Sequence, residues 1–262
     1  MTSTVLVVPC FNEEARLEPE GFLEVARAPG FTVLFVDDGS RDGTMRVLEA
    51  IRDREPTRVR VLHLDKNGGK GEAVRKGMLE GLQLGADIIG FADADLATPP
   101  GELIRLRDEL AESDLSVVVG SRVLLMGTDI QRDPWRHYIG RFFATAAANV
   151  LAMPFYDTQC GAKYFRDRVA LAAALEQPFV SRWVFDLELL GRLHFGTGSA
   201  PPVPLHRFEE RTLRRWVAVA DSKLTLKGMS RALLDLRRVH VELERLRARA
   251  AREGHRSAPS PR

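Results

Sequence analysis

The strongest constraint on what this chain can fold into is a repeating pattern in its first 120 residues. Short runs of Val, Leu, Ile and Phe alternate there with stretches of helical periodicity. Thr4–Val8, Phe31–Val36, Arg58–Leu64, Asp87–Ala92 and Leu115–Gly120 read as strands. Runs that are apolar almost throughout, instead of at every second position, belong to strands covered on both faces, and helical crossovers make such strands parallel. The expected fold class is therefore α/β, a Rossmann-like sandwich with a mostly parallel central sheet.

Three helix starts carry their own signals: Asp42-Gly43-Thr44, Gly71 and Pro99-Pro100. Beyond residue 120 the alternation fails. Helices are predicted from about Trp135 to Met153, near Asp167–Leu175, near Phe185–His194, and from about Asp221 to Arg252. This second half reads as a helical elaboration on the sheet, closed by a Pro/Ser-rich tail at 253–262 that is expected to be disordered.

A chain of 262 residues with 45% hydrophobic and 28% charged residues can bury the core of one large domain. Two cysteines, Cys10 and Cys160, are too few for a disulfide framework, and no charged-then-apolar leader opens the sequence, so a reducing cytoplasm is the expected compartment. The longest apolar stretch, Phe142 to Tyr156, is too short to span a bilayer and carries Asn149 and Pro154. The net charge is only +2, yet from Arg207 onward fifteen Lys/Arg face seven Asp/Glu. That asymmetry suits an anionic surface or a solvated charged helix equally, and no nucleic-acid partner is expected.

In open parallel sheets ligands bind beyond the carboxyl ends of the strands. The residues there are "PCFNEE" (Pro9–Glu14), "DDGS" (Asp37–Ser40), "DKNGGKGE" (Asp65–Glu72) and "DADLATPP" (Asp93–Pro100). Asp37-Asp38 before Gly39 is either an Asx turn or a carboxylate that accepts hydrogen bonds from a base or ribose. "NGGKGEA" opens a helix after glycines, so backbone N–H groups and Lys70 could meet phosphate. It is not a Walker loop, because Leu64 and Gly71 occupy the positions that need glycine and a hydroxyl. Asp93 and Asp95, at i and i+2, fall on one side of an extended chain. Two carboxylates so placed repel unless a cation intervenes, and hard oxygen ligands suit Mg²⁺ or Mn²⁺ completed by substrate phosphates.

Taken together, "VLVVPCFNEEARL", "VLFVDDGSRDGT", "NGGKGEAVRKGM", "FADADLATP", "VVVGSR", "DTQCGAKYF", "RWVFDLELL" and "DSKLTL" resemble the inverting glycosyltransferases of family 2, and within them the dolichyl-phosphate β-glucosyltransferase-like branch. The resemblance runs from Thr4 to Met229 and implies the GT-A form of the fold. It implies one glycosyltransferase domain over 1–230, with a nucleotide-sugar half at 1–120 and an acceptor half at 121–230, followed by a basic helix at 231–252.

By that resemblance Pro9, Phe11, Asn12, Glu13, Asp37, Asp38, Lys66, Lys70, Gly71 and Asp93 would surround the nucleotide-sugar donor. Asp95, with Asp93, would hold Mg²⁺ or Mn²⁺. Asp157, Lys163, Arg122 and Asp186 would serve the reaction, with Gln159, Arg182 and Trp183 on the acceptor side. The implied reaction moves a hexose, glucose from UDP-glucose first, onto a polyprenyl phosphate with inversion. Two alternatives keep less of this: transfer to a soluble hydroxyl acceptor, for which Asp186 stands where a general base is found, and a non-catalytic nucleotide-sugar-binding protein.

Asp186 and Glu188 could equally be ordinary helix charges, Cys160 a small packed residue, and Trp135 and Trp183 core or interface aromatics. Two departures from the family stand out: Leu96, where glycine is common after the Asp-Ala-Asp motif, and Ala162, where an aromatic is common. Arg132, Arg136 and Arg141 beside "IGRFFATAAANVLAMPF", with the basic C-terminal part, leave open a peripheral contact with the inner face of a membrane. Oligomeric state is not legible in the sequence.

Overall fold

The computed structural model describes residues 2–131, 150–151, 153–217 and 226–257. Most of the predicted Trp135–Met153 helix, with Arg132, Arg136 and Arg141, and the greater part of "DSKLTL" lie outside the described residues. So do residues 258–262 of the predicted tail.

The predicted alternation is present. β1 (Thr4–Cys10), α1 (Pro19–Arg27), β2 (Phe31–Asp37), α2 (Thr44–Arg54), β3 (Val59–His63), α3 (Lys70–Gln83), β4 (Ile88–Ala92), α4 (Pro100–Ala111) and β5 (Val117–Ser121) follow in order. A short β6 (Asp129–Gln131) is followed by β7 (Ala162–Phe165), α5 (Arg168–Leu175), α6 (Phe185–Phe195), β8 (Phe208–Thr212), β9 (Arg215–Val217) and α7 (Leu226–Ser257). The last helix continues through Ser257, past the boundary at 252 predicted for it.

The main sheet has seven strands in the order β3-β2-β1-β4-β7-β5-β8. Neighbours pair parallel except at β7, which runs antiparallel to both β4 and β5. β6 and β9 form a separate parallel pair. Alternate residues of β1 enter opposite cores: Val5 and Val7 pack with α3, α5, α6 and α7, while Leu6 and Val8 pack with α1, α2 and α4. A strand covered on both faces must be apolar at every position, which is why the sequence shows unbroken runs there.

β7 was not predicted. It is four residues long and carries Lys163 on a strand buried throughout, so neither length nor pattern announces it. Pairing with strands on both sides makes it a strand.

Candidate functional site

The order of strands reverses direction at β1, which pairs with β2 on one side and β4 on the other. The crevice beyond the carboxyl ends of β1 and β4 is therefore the place where an open α/β sheet takes a ligand. Loops from β1, β2, β3 and β4 converge on it, and hydrogen bonds fasten them to one another.

The β1 loop is held by its own polar side chains. Asn12 adopts φ 53°, a left-handed conformation that asparagine tolerates better than most residues. Its backbone N–H donates to Ser40 Oγ at 3.0 Å and its Oδ1 accepts from the Arg41 N–H at 2.9 Å. The Glu13 N–H donates to Thr44 Oγ1 at 2.8 Å, while its carboxylate meets Arg16 at 3.4 Å. Arg16 then reaches across to Asp95 Oδ2 at 3.2 Å. Pro9 and Phe11 stand half-buried beside this junction.

The two aspartates after β2 do different work. Asp38 is turned into the neighbouring loop, where Oδ1 accepts from the Gly68 N–H at 2.7 Å and Oδ2 from the Gly69 N–H at 2.8 Å. Burial raises its pKa against these bonds. Asp38 thus shapes the glycine loop, each of its oxygens accepting one backbone N–H. Asp37 is buried to 0% exposure; Oδ1 accepts from the Ser40 N–H at 3.2 Å, and Oδ2 pairs with His63 Nδ1 at 2.8 Å. His63, at the end of β3 and in register with Asp37, is exposed, and the sequence reading had not singled it out.

The glycine loop is closed from the other side by the segment before α6. The Gly71 N–H donates to the Arg182 carbonyl at 3.0 Å. A Cβ on Gly71 would lie 2.9 Å from Phe185 Cβ, so only glycine lets α3 start this close to α6. Lys66 stays exposed on the loop's outer side.

Lys70, the first residue of α3, points its ammonium at Asp93 Oδ1, 2.5 Å away. β4 ends at Ala92, where the sequence pattern ends the strand, and Asp93 and Asp95 lie in the turn that follows it. Leu96 takes φ 49° there, a left-handed conformation that glycine adopts without strain. Burial alone would raise the pKa of Asp93, but Lys70, Lys163 and Arg122 together pull it below the ordinary value. Burial, and after it the charge of Asp93, raises the pKa of Asp95. Lys70 is likewise kept a cation by Asp93, Asp186 and Asp95 against the effect of burial.

"DTQCGAKYF" meets this cluster directly. The Asp93 N–H donates to the Gly161 carbonyl at 3.1 Å, and a Cβ on Gly161 would lie only 2.1 Å from Asp93 Oδ2. Asp157 accepts a fork from Arg122, Nε to Oδ2 at 2.6 Å and Nη2 to Oδ1 at 2.8 Å, and the Arg122 N–H adds a third bond at 3.1 Å. Glu210 on β8 accepts from the N–H groups of Tyr156 and Asp157, fixing that turn against the sheet. Charge-assisted forks of this kind hold a guanidinium in one plane with its remaining N–H groups directed outward.

Lys163 corrects an expectation. It is buried to 0% exposure, with Nζ donating to the Cys160 carbonyl at 2.6 Å and to Asp186 Oδ2 at 3.2 Å, above the Phe91 ring. A strand buried on both faces leaves its side chain no route to an acceptor, so it supports the site from beneath. Asp186 Oδ1 accepts from the Leu187 N–H, and the residue is 6% exposed. Glu188 is a buried structural charge, paired with Arg192 at 2.6 Å and accepting from the Val180 N–H. Cys160 is packed and inert, its pKa pushed up to about 12 by burial and then by Asp157. Gln159 is half-buried on the same turn, and Arg182 and Trp183 are exposed beside the glycine loop, Trp183 to 64%.

Whether these residues fit a divalent cation can be judged from the donor set. Among the described residues no group of three or more His, Cys, Asp or Glu is arranged to hold an ion alone. Asp93 Oδ1 is buried and, apart from its ion pair with Lys70, accepts no hydrogen bond. Two carboxylates of a single turn, already gathered around cationic side chains, suit a Mg²⁺-like ion whose remaining ligands are waters and substrate phosphates. The fit is therefore to a cation that arrives with its phosphate.

A model of the family described as "Glycosyl transferase family 2" matches residues 5–170. The chain belongs to glycosyl transferase family 2. A dolichyl-phosphate beta-glucosyltransferase of Trichomonas vaginalis is 31% identical to this glycosyltransferase over 91% of the chain and 71% of its own length. A polyprenol monophosphomannose synthase of Mycolicibacterium smegmatis is 30% identical over 80% of the chain and 78% of its own. The fold matches a crystal structure of glucosyl-3-phosphoglycerate synthase from Mycobacterium tuberculosis in complex with Mn²⁺, UDP-glucose and phosphoglyceric acid. That match has a TM-score of 0.65 at 19% identity and covers 92% of this chain and 79% of the other.

Proposed function

We propose that this glycosyltransferase moves a hexose, glucose from UDP-glucose in the first instance, onto the phosphate of a polyprenyl lipid with inversion at the anomeric carbon. The observation that carries the reading is the cluster of Asp93, Lys70, Asp95 and Arg16 at the switch point, with Gly161 of the "DTQCGAKYF" turn pressed against Asp93. Such a cluster would suit a diphosphate, and it touches the segment that would face the acceptor.

The donor half, 1–120, would take the nucleotide between the β1 loop and the β2–β3 edge, where Asp37 orients the His63 ring. Lys70, at the N-terminus of α3, would meet the diphosphate, since a helix N-terminus and an ammonium both favour anions. Asp93 and Asp95 would hold Mg²⁺ or Mn²⁺. When bound, such an ion offsets the charge that develops on the leaving diphosphate.

In the acceptor half, 121–230, Arg122, fixed by Asp157, would bring a cationic group to the acceptor phosphate, with Gln159, Arg182 and Trp183 around it. Asp186 faces Lys163 and is bonded on both oxygens, so it acts as a positioning residue in this reading. An acceptor already ionised needs no base to remove a proton, which favours phosphate over a hydroxyl compound. The relatives named for dolichyl phosphate and polyprenol support the same acceptor class.

The test is a screen of UDP- and GDP-sugars with the purified protein, with Mg²⁺, Mn²⁺ or a chelator, and with or without a polyprenyl phosphate. Transfer that requires the lipid phosphate and stops on chelation is expected. Transfer to a soluble hydroxyl compound without lipid would overturn the acceptor; stabilisation by UDP without turnover on any acceptor would make the protein a binding module.

A further inference from the structure

After β5 the chain leaves the site through Arg122 and forms a tight turn that carries three consecutive large apolar side chains into water. Leu124 is 67% exposed, Leu125 53% and Met126 103%. The turn is ordered by its own bonds: the Leu125 N–H donates to Thr128 Oγ1 at 3.0 Å, and the Leu125 carbonyl accepts from both the Thr128 N–H and Oγ1. Gly127, at φ 87°, lets the chain reverse. Three exposed aliphatic residues in a row, presented by a structured turn, call for a partner.

Their surroundings say which kind. Arg215, the first residue of β9, and Arg214 before it are exposed; the Asp129 N–H donates to the Arg214 carbonyl at 2.8 Å and the Asp129 carboxylate lies 3.7 Å from Arg215. Tyr156, 38% exposed, adjoins the Asp157 that holds Arg122. An aliphatic tip beside exposed arginines is the composition of a surface that sits at the headgroup level of a bilayer. The same small sheet is tied to the Asp93–Asp95 turn, since the Val217 N–H donates to the Ala97 carbonyl at 3.0 Å. The tip lies two to four residues beyond Arg122, within roughly 14 Å of chain.

The geometry points to the Leu124–Met126 turn, with Arg214 and Arg215, as the surface that docks this enzyme on an anionic lipid bilayer and sets the level of its acceptor site. This rests on the reading of a lipid-borne phosphate acceptor. Among the described residues no helix is long and apolar enough to cross a membrane.

The experiment uses the full chain and sedimentation with vesicles of phosphatidylcholine alone or mixed with phosphatidylglycerol. The wild type is expected to bind the mixed vesicles. L124S/L125S/M126S should lose at least about tenfold in vesicle affinity while keeping its melting temperature, because the side chains it changes touch water. R214A/R215A should weaken binding to the mixed vesicles and leave its remainder less sensitive to salt. The triple variant should keep wild-type transfer to a short, water-soluble isoprenyl phosphate and lose transfer to polyprenyl phosphate embedded in vesicles. Vesicle binding absent in the wild type, or unchanged in the triple variant, overturns the proposal. So does a wild-type dimer that the triple variant turns into a monomer without any change in vesicle binding, which would assign the tip to a second copy of the chain. If the triple variant loses vesicle binding but no prenyl phosphate accepts sugar, the docking surface stands and the acceptor reading falls.

Discussion

Replacing Gly161 with alanine tests the central claim about this site, that the turn facing the acceptor and the carboxylate facing the donor are one piece of structure. The added Cβ would lie 2.1 Å from Asp93 Oδ2, 2.3 Å from Cγ and 2.7 Å from Oδ1. Ordinary contact begins near 3.4 Å, so the carboxylate must retreat by about 1 Å or the turn must lift by as much. Gly161 is not among the glycines with positive φ, so the alanine itself is not strained and the cost falls on the contact. Displacing a binding group by about 1 Å costs on the order of 100-fold in rate, or about 2.7 kcal/mol of transition-state stabilisation. Overpacking should lower stability by about 1–3 kcal/mol.

The assay pairs the rate of sugar transfer with a calorimetric Mn²⁺ titration in the presence of UDP and a thermal melt. Gly101→Ala serves as the control, since nothing lies within 4 Å of a Cβ there and the residue sits in the exposed first turn of α4. It should melt at or slightly above the wild type and keep full activity. If Gly161→Ala transfers sugar at the wild-type rate and binds Mn²⁺ as well, Asp93 does not stand where the donor needs it, and the reasoning fails.

Lys163→Met should remove about 3 kcal/mol of stability, lowering the melting temperature by about 10 °C, because it strands the buried Asp186 carboxylate; adding Asp186→Asn should recover part of the loss in a double-mutant cycle. Cys160, with its pKa pushed up to about 12 by burial and then Asp157, should resist thiol reagents at pH 8 until the protein is unfolded. Its folded pKa lies above the ordinary value of 9.0, so its contribution to stability is complete below pH 9 and is lost as pH rises towards 12; alkaline melts of Cys160→Ala and the wild type should converge across that window. Asp95→Asn should lower transfer by at least about 100-fold yet melt at or above the wild type at neutral pH. The raised pKa of Asp95 makes its ionised form a cost to folding once pH exceeds that value, so the difference in melting should vanish in acid; a variant that melts lower at neutral pH would refute this.

The parallel half of the fold is legible in the chain, because strands buried on both faces must be written as unbroken apolar runs and their helices announce themselves with Gly, Pro and Asp at the start. The same pattern also placed the Asp93–Asp95 turn and the glycine loop at the carboxyl edge, since a loop between strand and helix is fixed by where those elements end. The partners of the charged residues come from the packing of distant elements. β7 inserts between β4 and β5 although it follows both in the chain, and that placement buries Lys163, closes Gly161 on Asp93 and brings Asp157 to Arg122. The same holds for Asp37 with His63, for Asp38 with the Gly68 and Gly69 amides, and for Arg16 with Asp95. Local pattern reports the surface a residue turns to its own element. Which distant charge it meets depends on how the strands are ordered in space, and no run of neighbouring residues records that.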